Sequence, residues 1–233
     1  EDGAQMSPED TEKVVAHIRK IYDYLSVSGE EGSALIQAVP DKLDEDYIEE
    51  LSRLRLSPEA VKKCGANLKL VYTPVHGSGY VPVMAILKKL GIGVTVVEEQ
   101  TTKDPDFSTV KVPNPEFKET LSMGIALADK IHADVVFGTD PDSDRLGVAV
   151  KNDGGEFVAL SGNQVGILLL DYILTRLEEE NAMPVGAAVV KSFVTTGMAK
   201  AICDDFGVEL FETPVGFKFI GEKIKEWEKD GSH

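Results

Sequence analysis

Between residues 68 and 160, short apolar runs typical of strands alternate with longer amphipathic runs typical of helices. In chain order these runs are LKLVY, VPVMAILKKLG, VTVVEE, FKETLSMGIALADKIHA and DVVFGT. A helix between two strands carries the chain back to the start of the sheet, so the strands are expected to be parallel. The runs RLGVAVK and EFVALS, joined by the turn NDGG, then add an antiparallel hairpin. The sequence therefore predicts a three-layer α/β/α domain with a mixed, mostly parallel sheet.

The chain on either side of this domain predicts two further parts. Residues 8–25 and the run DEDYIEELSRLRL are amphipathic, and the second helix is expected to begin at Asp44 or Asp46. After residue 160 the runs NQVGILLLDYILTRLEEE, GAAVVKSF, TTGMAKAICDDFG and VELFET alternate again between helix and strand. We therefore predict an incomplete unit over 1–42, a whole domain over 43–160, and an incomplete α/β domain of similar type over 161–233.

Charge and cysteine content limit the function. The 24 Lys and Arg residues against 40 Asp and Glu residues leave a net charge of −16, which disfavours nucleic acid and membrane surfaces as partners. Cys64 and Cys203 lack metal-ligand spacing, as expected in a reducing cytoplasm, and Cys203 is predicted to be a packing residue. The opening EDGAQMSPED has no features of a signal peptide, and we expect both ends to be cuts through a longer protein.

The segment GTDPDSDRLGVAV, residues 138–150, carries the clearest chemistry. Asp140, Asp142 and Asp144 alternate along it, so their carboxylates are expected to face one cation, and hard oxygen ligands favour Mg²⁺, Mn²⁺ or Ca²⁺. An EF-hand is excluded because Arg145 stands where its glycine would be. Arg145 is predicted to hold a phosphate beside the metal. The alternative is a solvated acidic turn with Arg145 as its counter-ion.

Two other segments contain candidate site residues. In TPVHGSG, His76 is either a proton shuttle, a phosphate contact or a structural residue. The segment GFKFIGEK is not a P-loop, because Glu222 replaces the essential lysine. Lys218 in that segment and Lys191 after the predicted strand AAVV are candidate phosphate or sugar contacts, with a surface salt bridge as the alternative for each. Phe217 and Phe219 are expected to be core residues.

Taken together, five segments in this order resemble the α-D-phosphohexomutases, the phosphoglucomutase/phosphomannomutase group. They are TPVHGSG, DPDFSTVKVPNPE, GTDPDSDRLGVAV, VVKSFVTTG and ETPVGFKFIGEKI. The resemblance implies that residues 1–42 are the tail of family domain 1, 43–160 domain 2 and 161–233 part of domain 3. It implies that the family's phosphoserine loop and sugar-specificity loop are not in this sequence. The metal loop departs from the family only at Ser143, where glycine is usual.

The resemblance also implies an activity. Members of this family transfer a phosphoryl group within glucose or mannose phosphates, between the 1- and 6-positions, through a bisphosphate. The implied cofactor is Mg²⁺ on Asp140, Asp142 and Asp144. The implied catalytic residues are Arg145, Lys218 and His76, and Arg145, Lys191 and Lys218 are the implied phosphate-binding residues. The chain alone is expected to be inactive.

Two other functions stay open from the residues themselves. One is a haloacid-dehalogenase-type phosphatase with Asp140 as nucleophile and Asp142 as acid/base. The other is a non-catalytic module that binds a metal or a sugar phosphate.

Overall fold

The computed structural model describes residues 6–26 and 36–233. These residues form two compact units: Pro40–Glu179 is the larger, and Glu180–His233 joins the described residues before 40 in the smaller. The predicted boundaries after 42 and after 160 stay predictions. None of the helices in the described ranges is both long and apolar enough to cross a membrane.

From Lys69 onward, helices and strands follow one another along the chain as the alternating pattern predicts. The helices are α1 (Pro8–Ile18), α2 (Lys42–Arg53), α3 (Pro58–Cys64), α4 (Tyr80–Lys89), α5 (Ser122–Ile131), α6 (Gly162–Glu179), α7 (Met198–Asp205) and α8 (Phe217–Asp230). The strands are β1 (Lys69–Thr73), β2 (Gly93–Val96), β3 (Val135–Thr139), β4 (Leu146–Lys151), β5 (Phe157–Leu160), β6 (Ala188–Ser192) and β7 (Glu209–Thr213). Single 3₁₀ turns lie at Tyr24–Ser26 and Glu98–Gln100.

The larger unit contains a five-stranded sheet in the order β2-β1-β3-β4-β5. β1 is parallel to β2 and to β3, whereas β4 is antiparallel to both of its neighbours. Four of the five strands therefore run in one direction. The predicted fold class, an α/β/α domain with a mixed, mostly parallel sheet, is confirmed.

Strand order and crossover handedness place the helices of this unit. The chain moves from β1 to β2 in one direction and returns past β1 to reach β3 in the other. Because such crossovers are right-handed, α4 and α5 cover opposite faces of the sheet. The core beneath α5 includes Val71, Leu121, Ala128 and Val136, all 0% exposed. The loops after β1 and β3 both lie at the carboxyl ends of these strands, where the strand order reverses and α/β sheets usually bind ligands.

Several helix boundaries differ from the predictions. α1 ends at Ile18 rather than residue 25, and beyond it the Asp23 carboxylate accepts a hydrogen bond from the backbone N–H of Leu25, which favours a turn over a helix. α2 begins at Lys42, directly after Asp41, rather than after Asp44 or Asp46.

Two more differences concern α3 and α5. Helix α3 was not predicted, although Pro58 at its first position is a usual helix start. Helix α5 begins at Ser122 instead of Phe117. The segment before it is held in turns, one of which is closed by the Asn114 side chain accepting from the N–H of Glu116.

In the smaller unit, β6 and β7 form a parallel pair in which Lys191 is aligned with Glu212. α7 contributes the buried Cys203, as predicted, and α8 contributes Trp227. The Trp227 ring lies 4.9 Å from the ring of Phe211 on β7 in an edge-to-face arrangement. An aromatic cluster therefore packs α8 against β7.

Candidate metal site

Two loops meet at the carboxyl ends of β1 and β3. The Pro141 carbonyl accepts hydrogen bonds from the Ser78 N–H at 2.8 Å and from the Ser78 Oγ at 3.1 Å. The approach requires a glycine at position 77, because a Cβ there would lie 2.5 Å from Pro141 Cα. The loop 74–79 therefore supports the loop 140–145 directly, between the first two aspartates.

The structure brings the three predicted metal ligands together. Asp140, Asp142 and Asp144 each offer one carboxylate oxygen, and these oxygens lie within 4.8 Å of one another. Asp140 is completely buried, while Asp142 and Asp144 are exposed to solvent. Three hard oxygen donors open to solvent on one side fit Mg²⁺, which keeps several ligand positions for water or phosphate.

Asp140 is held in place by Arg145. Its Oδ1 accepts the backbone N–H of Arg145 at 3.0 Å, and its Oδ2 accepts Arg145 Nε at 2.8 Å. Burial acts to raise the pKa of the Asp140 carboxyl, but these hydrogen bonds and the guanidinium charge outweigh it, so the pKa lies below its ordinary value. Asp140 is therefore a preorganised anion at the bottom of the loop.

Asp144 is in the opposite electrostatic situation. Its hydrogen bond with Asp140 and the negative charge of that carboxylate raise the pKa of Asp144, and Asp142 adds to the effect. The guanidinium of Arg145 opposes it only weakly, with Nε 3.4 Å from Asp144 Oδ1. The loop thus concentrates more negative charge than its one arginine neutralises.

Ser143 has a left-handed backbone conformation with a φ of 63°. Its N–H closes a turn by donating to the Asp140 carbonyl at 3.0 Å. A side chain is unfavourable in this conformation. The sequence shows only that Ser143 stands where glycine is usual in the family that the chain resembles, whereas the backbone geometry shows that Ser143 is a strained residue.

Beneath the loop, β3 and β4 carry two facing glycines that no sequence pattern had singled out. Gly138 and Gly147 are aligned across the two strands, and Pro115 packs against both. A Cβ at position 147 would lie 2.2 Å from the Pro115 carbonyl oxygen. The proline-bearing segment before α5 can therefore lie directly on the strands that carry the aspartate loop.

His76 lies beside the loop but does not point a free ring nitrogen at it. Its Nδ1 is 2.7 Å from the Thr102 carbonyl oxygen and its Nε2 is 2.7 Å from Thr109 Oγ1. The residue as a whole is 7% exposed. Gln100, completely buried and not singled out from the sequence, joins the same group of side chains.

The two predicted lysines belong to the smaller unit. Lys191 is buried, with its Nζ 2.6 Å from Glu212 Oε1 and 3.0 Å from the Thr195 carbonyl oxygen. Lys218 is exposed, and its Nζ lies 5.0 Å from the centre of the Phe219 ring. Phe217 is 77% exposed, so its prediction as a core residue is wrong.

Comparisons with known proteins place two domain models on this chain. The model of the phosphoglucomutase/phosphomannomutase α/β/α domain II matches residues 45–155, and that of domain III matches residues 161–229. A phosphoglucomutase of Staphylococcus epidermidis is 34% identical over 231 residues, which is 97% of this chain and 40% of that protein. The chain thus spans about two fifths of the length of the curated relatives it matches.

Two solved structures share the fold of this chain. A phosphoglucomutase/phosphomannomutase family protein from Burkholderia thailandensis aligns with a TM-score of 0.60 at 22% identity, over 79% of this chain and 36% of that one. Aspergillus fumigatus N-acetylphosphoglucosamine mutase, solved in complex with GlcNAc-6P and magnesium, aligns with a TM-score of 0.53 at 17% identity, over 75% and 36% of the two chains.

Proposed function

The chain belongs to the phosphoglucomutase/phosphomannomutase family, the α-D-phosphohexomutases. On that premise we propose that the protein moves a phosphoryl group between the 1- and 6-positions of a hexose phosphate, with Mg²⁺ as cofactor. The substrates would be glucose or mannose phosphates and the corresponding bisphosphate. The observation that carries the proposal is the meeting of three carboxylates at the carboxyl end of β3 in a chain of this family.

Asp140, Asp142 and Asp144 would hold the Mg²⁺. The donor set supports this assignment, as does the magnesium named with the Aspergillus fumigatus mutase. When bound, Mg²⁺ supplies positive charge that stabilises the oxygens of a phosphoryl group in transfer. The buried Asp140 orients the loop, and the exposed Asp142 and Asp144 present their carboxylates on the solvent side.

Arg145 would bind the phosphoryl oxygens next to the metal. Its Nε is used by Asp140, while half of the side chain is exposed, so the terminal nitrogens of the guanidinium can reach a ligand. A guanidinium fixed in this way loses little freedom on binding a phosphate. Arg145 thereby couples the orientation of Asp140 to that of the substrate.

Lys218 and Lys191 are proposed to contact the phosphate or hydroxyl groups of the sugar. Lys218 is the stronger candidate, because its ammonium group is exposed and has no carboxylate within ion-pair distance among the described residues. Lys191 is held by Glu212 and by the Thr195 carbonyl. It would therefore contribute a fixed charge rather than a mobile one.

The alternative functions are not favoured. A phosphatase of the haloacid-dehalogenase type needs a carboxylate nucleophile at Asp140, but Asp140 is completely buried and both of its oxygens accept hydrogen bonds from Arg145. The matched domain models are those of mutases.

We further propose a cytoplasmic location, consistent with the free thiols of Cys64 and Cys203.

Calorimetric titration of the 233-residue chain with Mg²⁺ tests the metal assignment. We expect one site, and at least about tenfold weaker binding in Asp142→Asn and Asp144→Asn, since even residues that only orient metal ligands have effects of that size. Asp153→Asn, an exposed carboxylate in the β4–β5 turn, is the matched control and should bind as the wild type does. No binding at millimolar Mg²⁺ would refute the assignment.

A second experiment tests the reaction class. We expect glucose 1,6-bisphosphate to bind more tightly with Mg²⁺ present, and Arg145→Met to remove most of that gain. The chain alone should show no mutase turnover, because the family's serine loop is not among its residues. Hydrolysis of p-nitrophenyl phosphate that is lost in Asp140→Asn would instead favour the phosphatase.

A further inference from the structure

The loop that supports the aspartates has an unusual backbone. Val75 and His76 are consecutive residues with positive φ, 47° and 61°, and neither is a glycine. Left-handed conformations at side-chain-bearing residues, one of them β-branched, cost free energy and persist only where surrounding contacts hold them. The structure therefore has to contain such contacts around residues 75 and 76.

A buried chain of hydrogen bonds meets that requirement. Thr73 Oγ1 accepts the Val75 N–H at 3.1 Å and donates to Gln100 Oε1 at 2.5 Å. Gln100 Nε2 in turn donates to Thr109 Oγ1 at 2.9 Å. The Gln100 backbone carbonyl accepts the His76 N–H at 2.9 Å. Both strained residues are thus tied to Gln100.

Donors and acceptors in this hydrogen-bond network can be assigned by starting from the Thr102 carbonyl. The Thr102 carbonyl can only accept, so His76 Nδ1 donates to it, and in the tautomer with a single ring proton Nε2 is the acceptor. Thr109 Oγ1 therefore donates to His76 Nε2, and its own acceptor position is filled by Gln100. Each polar atom has one role, so removing a single hydroxyl leaves two buried groups unpaired.

Only Gly77 separates this network from Ser78, which contacts the aspartate loop. Ser78 follows His76 and Gly77, and it donates both its N–H and its hydroxyl to the Pro141 carbonyl. Pro141 joins Asp140 to Asp142. A shift of the 75–78 backbone would therefore move two of the three carboxylates relative to each other.

We propose that Thr109, Gln100 and His76 are positioning residues for the metal site. They hold the strained 74–79 loop, and through Ser78 and Pro141 they set the spacing of the carboxylates before a metal binds. Of the three roles that the sequence left open for His76, this network corresponds to the structural one, rather than to a proton shuttle or a phosphate contact. The inference rests on the proposed function in one respect, the binding of a divalent cation by the aspartates.

The test compares Thr109→Val with Thr109→Ser. Mn²⁺ is the probe, and electron paramagnetic resonance measures the concentration of unbound Mn²⁺. Valine keeps the shape of the side chain without the hydroxyl, and serine keeps the hydroxyl. We expect Mn²⁺ to bind about tenfold more weakly to Thr109→Val, as for other residues that orient metal ligands, and Thr109→Ser to restore the affinity. Thr213→Val, which removes a hydroxyl from β7 in the other unit, should have no effect.

The outcomes separate this inference from the proposed function. Wild-type protein that fails to bind Mn²⁺ would refute the metal assignment itself. Wild type and Thr109→Val that bind Mn²⁺ equally, with the valine variant folded by circular dichroism, would refute the positioning role alone. If Thr109→Val does not fold, His76→Asn decides, because asparagine tolerates the left-handed backbone but loses the ring contacts. Unchanged affinity in His76→Asn would also overturn the inference.

Discussion

The substitution Gly147→Ala tests the packing beneath the aspartate loop most directly. The added Cβ would lie 2.2 Å from the Pro115 carbonyl oxygen and 2.7 Å from two other Pro115 atoms, which is 1.2 Å and 0.7 Å closer than the 3.4 Å at which ordinary contact begins. Pro115 is fully buried and two of the three clashing atoms are backbone, so neither side can move away without shifting β4 or the 113–116 segment.

The expected cost follows from this geometry. Overpacking a buried site costs about 1–3 kcal/mol, and a clash with backbone belongs at the upper end of that range. At about 2–4 °C per kcal/mol for a chain of this size, Gly147→Ala should lower the melting temperature by about 6–12 °C. Because β4 follows directly after Arg145, the displacement should also weaken Mg²⁺ binding.

Thermal unfolding followed by circular dichroism measures the loss, and hydrogen exchange locates it. Amides of β3 and β4 should lose protection, whereas those of β6 and β7 in the other unit should not. Gly166→Ala on α6 is the matched control: its Cβ meets nothing within 4 Å, and it should stabilise the protein by about 0.5–1 kcal/mol. A melting temperature for Gly147→Ala within about 1 °C of the wild type would refute the packing argument.

Two further predictions follow from the same structure. Ser143→Gly should raise the free energy of unfolding by about 1 kcal/mol, because glycine adopts the left-handed conformation at φ 63° without strain. Urea denaturation measures this free energy. A loss of stability would show that the Ser143 hydroxyl contributes more than the strain costs. In the folded protein, Ellman's reagent should react with one thiol, the exposed Cys64, because Cys203 is buried and its burial raises the pKa of its thiol; two rapidly reacting thiols without denaturant would contradict the packing of α7.

The fold class and the clustering of three carboxylates were both accessible from the sequence. Alternating apolar runs predicted every strand of the five-stranded sheet, since strand length and periodicity are local properties. The helix starts were less accessible. At α5, the turns around Asn114 and Pro115 compete with an amphipathic pattern that begins at Phe117, and a periodicity argument cannot weigh the two.

The roles of individual side chains around the site were harder to predict. His76 in a glycine-bearing loop has the composition of an anion site, yet both of its ring nitrogens are used by Thr102 and Thr109, which lie 26 and 33 residues further along the chain. Lys191 has the position of a phosphate contact and is buried against Glu212. Each of these partners is supplied by another element, so no local pattern identifies it.

By itself, the sequence determined the strands of the five-stranded sheet and that three carboxylates occupy one loop at the end of a buried strand. It did so because strand and helix periodicity, and the spacing of alternate residues in a loop, depend only on neighbours along the chain. Only the tertiary structure decided what supports that loop: Ser78 on Pro141, the Gln100 network on His76, and Pro115 on the aligned glycines of β3 and β4. These contacts join segments that are distant in the sequence. They require residues in the left-handed backbone conformation and glycines at positions where a side chain would clash, so they depend on how the strands are ordered in the sheet.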